Sequence, residues 1–284
     1  MHKNLKVQKK QIILISAAAL LLVLLLFFGK TVNPTKEVIQ PIVAPTIDVL
    51  SIDTILVRAK QNFTPLQLKQ VAMLENDLKT ANQSDKIKAN RQLSIFWKDT
   101  ARIYEPYLFY LAEEAKLVNS EKSLTFAAQQ ITNSLLDVVE PAIQNWLGAN
   151  AKVLFEKALA INPNNDSSKI GLGACYILGN VSSNPMEGIL PVREIATKNP
   201  DNIYAQMILG LGGKKSGQYD KAIERFLLIY SKQPNNLIVI LHLAECYEQK
   251  GDKLNAKIWY TKAAGIVKNG DIKKEIEKRI LELK

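Results

Sequence analysis

Apolar residues recur every three or four positions through most of the chain, and over 203–236 they form two consecutive amphipathic runs. The first run carries Leu209 and Gly210, Gly217 marks a turn, the second carries Tyr219, Ala222 and Phe226, and Pro234 ends it. Moved 34 residues along, the pattern returns as Leu243, Ala244, Tyr247, Gly251, Ala256, Tyr260 and Ala263. Small residues fall where two helices must approach closely, and large ones where a helix plugs its neighbour. A fixed period of this length predicts stacked helical hairpins, each covering the next one's apolar face.

Towards the amino terminus the register slips. Pro200 keeps the 34-residue spacing to Pro234, whereas Ala151, Phe155 and Pro163 lie 71 residues before Ala222, Phe226 and Pro234. The extra residues fall in the turn-rich stretch Val181 to Met186. Leu172, Gly173 and Tyr176 mark a first helix there, but Gly188 and Val192 stand where the pattern asks for Ala and an aromatic. Beyond Gly270, the stripe Ile272, Ile276 and Ile280 predicts a capping helix over 271–284.

Between 48 and 144 the helical signals persist with a weaker repeat. Thr64–Pro65, Ser84, Pro106, Ser120 and Pro141 are its predicted helix starts. Trp97, Tyr104, Tyr107, Phe109 and Tyr110 form an aromatic cluster, read as core, with a ligand platform as the rival reading. No alternating, β-branched run bounded by turns appears outside the linker at 30–47, so the chain is expected to be all-α.

On these residues the segment 145–270 resembles the tetratricopeptide repeat family, in particular its membrane-anchored bacterial envelope type. The resemblance implies an α-α superhelix whose concave surface is lined by the first helix of each pair. Its groove positions project onto Ile170, Ala174, Ile177 and Leu178, then Tyr204, Met207, Leu211, Lys214 and Lys215, then Ile238, Leu241, Glu245 and Glu248. The expected protein-binding groove centres on Ile170, Ala174, Ile177, Tyr204, Met207, Leu211, Leu241 and Glu245. Chaperone-binding members of the family clamp a partner's terminal carboxylate with Lys and Asn. Ile170 and Ala174 stand at those places here, so the resemblance implies no such clamp. An apolar groove suits a helix or an extended hydrophobic segment.

The amino-terminal segment reads differently. Residues 1–10 are basic, and after Gln11 come 18 uncharged, mostly apolar residues ending at Gly29. At about 1.5 Å per residue this run spans a hydrocarbon core of roughly 30 Å. It is read as an uncleaved transmembrane signal anchor over 11–29, because no small-x-small cleavage site and no lipid-bearing Cys follow it. The basic flank predicts a cytoplasmic amino terminus and a periplasmic repeat domain on a single-pass inner-membrane protein. Residues 30–47, with Pro34, Pro41 and Pro45, would be the tether.

The net charge of +10 is concentrated: residues 1–47 hold six lysines and one acid, leaving 31 basic and 26 acidic residues elsewhere. That balance does not argue for nucleic acid. Cys175 and Cys246 occupy equivalent first-helix positions two units apart, too far for a disulfide. Two histidines, His2 and His242, and two cysteines give no zinc-ligand spacing, so no metal, cofactor or catalytic residue is expected. The run from Gly210 to Ser216 has a superficial likeness to a phosphate loop, but it follows no strand and lies within a helix pair.

The reading is a non-catalytic scaffold or adaptor that binds a protein or peptide partner through the groove. Resemblance to envelope members of the family implies work in envelope biogenesis, export or quality control. The rivals are a receptor anchored in an organelle membrane, a homo-oligomerising structural protein, and an enzyme within 48–150.

Overall fold

The structure, a computed structural model, describes residues 50–283 apart from 137 and 183, and every regular element among them is helical. Four helices come first: α1 (Ile52–Lys60), α2 (Pro65–Thr80), α3 (Lys86–Ile95) and α4 (Tyr104–Val118). Four hairpins follow, α5 (Glu121–Ser134) with α6 (Pro141–Ile161), α7 (Asp166–Leu178) with α8 (Met186–Lys198), α9 (Ile203–Lys215) with α10 (Tyr219–Lys232), and α11 (Leu237–Gln249) with α12 (Lys253–Ile266). Helix α13 (Gly270–Glu282) lies against α12 at the end of the stack.

The repeat is punctuated at fixed places. Asn165, Asn202, Asn236 and Asn269 cap α7, α9, α11 and α13, each side chain accepting from a backbone N–H of the first turn. Gly217 and Gly251 close the turns within the last two hairpins at φ of 73° and 82°. In the out-of-register hairpin the left-handed place is taken by Asn180 at φ 52°. Its neighbour α8 still packs closely, because Gly188 and Gly173 let the two helices meet with Val192 fully buried between them.

Ser120 and Thr64 cap α5 and α2 with reciprocal capping boxes. Ser84 does not cap α3. Its hydroxyl donates to Asn82 Oδ1 at 2.6 Å, and Asn82 itself receives the Asp85 N–H at 3.0 Å. Pro106 does not open α4 but sits within its first turn, the helix starting at Tyr104. Helix α3 runs into a π-helical segment, Phe96–Ala101, which ends at Arg102 with φ 58°. This segment points Trp97 into the core, where Phe63 and Phe96 pack on it with centroids 5.3 and 5.7 Å away. With Tyr107 and Tyr110 also buried, most of the aromatic cluster is core, and Tyr104 alone of it is exposed.

The membrane placement needs correction. No helix among the described residues is long and apolar enough to cross a membrane. The longest, α6 at 21 residues, carries Lys152, Glu156 and Lys157 and buries its apolar stripe against α5 and α7. Residues 11–29, where the anchor was expected, lie outside the described residues. The expected inner-membrane localisation with periplasmic repeats is therefore not upheld.

Candidate functional site

First helices touch first helices along the stack, α5 against α7 and α7 against α9, while second helices make no comparable mutual contact. Helices α5, α7 and α9 therefore follow one another along one side of the stack, and α11 joins them through Lys214 and Glu245. The projected groove residues lie on these helices, but they are not equally accessible.

Ile170, Ala174, Ile177 and Leu211 are buried, as is Leu178. The cause is the packing of α7, which is in contact with α5, α6, α8 and α9. Because α7 lies between α5 and α9 in the stack, its residues Ile170 and Ala174 are shielded from solvent. Burial pushes the Tyr204 phenol up to about 12, with Thr132 opposing the rise. Lys215 is likewise occupied, donating to the carbonyls of Ile177 and Leu178 at 2.9 and 3.3 Å and to Asn180 Oδ1 at 2.7 Å. It caps the carboxyl end of α7, where a cation meets the negative end of the helix dipole.

What stays accessible is a strip across α9 and α11: Tyr204, Met207 and Leu241 half-buried, Ile238 exposed, and Glu245 at its charged end. Glu245 is held there by two donors. Lys214 Nζ donates to Glu245 Oε2, His242 Nδ1 lies 3.2 Å from the same oxygen, and Lys214 Nζ is 3.3 Å from His242 Nδ1. Burial opposes the Glu245 charge, but the hydrogen bonds from His242 and Lys214 prevail and hold its carboxyl down at about 2. Beyond it opens a cleft of about 650 Å³ shared with Glu248, Tyr260 and Arg279. Glu248 is answered there by the Arg279 guanidinium and by the Tyr260 hydroxyl at 2.8 Å.

Among the described residues no group of His, Cys, Asp and Glu could hold a metal ion, and both cysteines are buried and free. The sequence reading named Lys214 and Glu245 but set His242 aside. Its place between them was legible in part, since His242 and Glu245 are three apart on one helix face.

A stack of asparagine-capped helical hairpins with an open strip on its first helices defines a helical-repeat protein. Its hairpins resemble tetratricopeptide repeats. The human interferon-induced protein with tetratricopeptide repeats 2 is 34% identical over 110 residues, covering 36% of this chain. The chain spans 22% of that relative's length. No family model matches the chain. Among solved structures, MamA from Desulfovibrio magneticus RS-1 is 22% identical with a TM-score of 0.43, covering 65% of this chain and 97% of its own. A tetratricopeptide repeat protein from Parabacteroides merdae ATCC 43184 is 15% identical with a TM-score of 0.33, covering 76% of this chain and 98% of its own. The membrane-anchored subtype expected from the sequence is not shown by these likenesses.

Proposed function

We propose that this protein is a non-catalytic adaptor that holds a helix or extended segment of a partner protein on the strip formed by Tyr204, Met207, Leu241 and Glu245. One observation carries the reading. Half-buried apolar side chains and a fixed carboxylate lie on two successive first helices that Lys214 and Glu245 join. Apolar anchors beside a charged end suit an amphipathic segment, which gains burial from Met207 and Leu241 and orientation from Glu245. Ile170, Ala174, Ile177 and Leu211 are buried and form no part of that strip.

Photo-crosslinking from a probe replacing Met207 of the full-length chain in intact cells tests this. A discrete heterologous product is expected, and it should disappear when Leu241→Glu is added. Products formed only between copies of this chain would favour the homo-oligomeric reading. No product, or one unaffected by Leu241→Glu, would overturn the groove.

A further inference from the structure

A second surface lies elsewhere in the stack. A cleft of about 390 Å³ opens between the second helices α8 and α10, with α9 as its floor. Its base is apolar, made by Ile177, Ile189 and Leu209 beside the glycines Gly212 and Gly213.

The residues at this junction differ from those one period on. One period further on, Cys246 and Tyr247 replace the glycine pair, and Trp259 replaces Arg225. There, Cys246 is fully buried, Tyr247 and Trp259 pack on the core, and the Trp259 ring meets Tyr230 at 4.9 Å. The same position in the fold is filled at one junction and open at the next.

The rim of the open junction is basic. Arg193 from α8 and Lys221 and Arg225 from α10 face it, against the one carboxylate of Glu224. Lys221 donates to Gln218 at 2.7 Å and Arg225 to Gln206 at 3.0 Å, both neutral acceptors. Nearby acids are already matched, Asp220 with Lys250 and Glu194 with Lys198. No ion pair among the described residues neutralises Arg193, Lys221 or Arg225.

We infer that this cleft docks an acidic peptide segment of a partner, an aliphatic side chain seated over Gly212 and Gly213 with flanking carboxylates on the basic rim. Charge complementarity selects the occupant. Arg193 and Lys221 are exposed on the rim instead of converging in an enclosed cavity. That arrangement suits carboxylates spaced along a chain better than a single small anion. A nucleic acid would need a long basic track, and this patch is confined to one junction.

The test is to pan a displayed library of random dodecapeptides against the full-length chain and against Arg193→Glu/Lys221→Glu, both exposed positions. Melting temperatures check that the variant folds. Enrichment of aliphatic residues flanked by Asp and Glu is expected on the wild type. A selected peptide, labelled with fluorescein, should bind the variant at least tenfold more weakly by anisotropy, about 1.4 kcal/mol. Met207→Glu should leave that binding unchanged, which separates this cleft from the strip on α9 and α11. No enrichment, enrichment without acids, equal affinity for the variant, or loss with Met207→Glu would each overturn the inference.

Discussion

The ring of Phe226 on α10 lies against Gly210 of α9, so close that a Cβ on the glycine would fall 2.6 Å from the ring. Phe226 is fully buried and also stacks on His242 of α11, with centroids 5.2 Å apart. One side chain thereby joins the two helices of a hairpin to the next hairpin. Phe226→Ala should destabilise the protein by about 3–5 kcal/mol and Gly210→Val by about 1–3 kcal/mol in urea unfolding. Because the added valine would enter the space the ring vacates, the double variant should lose less than the sum. Strict additivity would show that the two residues do not share one site.

The Phe226 contact was legible before the structure because its signal is periodic: a glycine in one helix, an aromatic in the next, and a copy one period on. The hairpins, the turn glycines and the helical class followed from the same kind of repetition. What escaped was set by differences between copies or by contacts across several units. Packing of α5, α6, α8 and α9 around α7 removes Ile170 and Ala174 from the surface, and no spacing within one repeat announces that. The expected stripe of α13 is only partly used, Ile276 buried and Ile272 46% exposed, because the helix packs chiefly on α12 at the end of the stack. The cleft over Gly212 and Gly213 becomes visible in the sequence only when that pair is set beside Cys246 and Tyr247.

Backbone conformation alone should separate two glycine substitutions. Gly217 sits at φ 73° and Gly265 within α12, and a Cβ meets nothing within 4 Å at either. Gly217→Ala should therefore lose about 1–2 kcal/mol through left-handed strain, with no steric part. Gly265→Ala should gain up to about 1 kcal/mol, since alanine favours the helix. Gly217→Asn should recover much of the loss, as Asn180 already adopts this conformation in the equivalent turn. Thermal melts of the three variants check the order, and a destabilising Gly265→Ala would break the argument.

Acid should expose the Lys214–His242–Glu245 cluster. Although burial disfavours its charge, the bonds from His242 and Lys214 hold the folded Glu245 carboxyl near 2, below its ordinary 4.5. A depressed carboxylate stabilises the fold fully above its unfolded value, and the contribution fades as pH falls from about 4.5 towards 2. Glu245→Gln should be less stable than the wild type at pH 7, and the gap should close across that window. With the side chain 40% exposed, solvent keeps the gap below about 1 kcal/mol, and salt should reduce it further. A gap constant from pH 7 to pH 2 would mean that Glu245 acts by packing and not by charge.

The end of the stack depends on Glu248. Its carboxylate is largely buried, receives Arg279 from α13, and accepts the Tyr260 hydroxyl of α12 at 2.8 Å. Since Ile276 is the buried apolar residue within α13, the guanidinium is a principal tie between that helix and α11. Arg279→Ala should leave the carboxylate short of a partner and speed amide hydrogen exchange along α13. Protection in α9 and α10 should be unchanged, because repeat stacks are stabilised by nearest neighbours. Removing both partners in Arg279→Ala/Glu248→Gln should restore part of the lost protection, the unmatched buried charge being gone. Faster exchange spread evenly over the hairpins would instead make the stack one cooperative unit, and no rescue in the double variant would place the role of Arg279 in its packing.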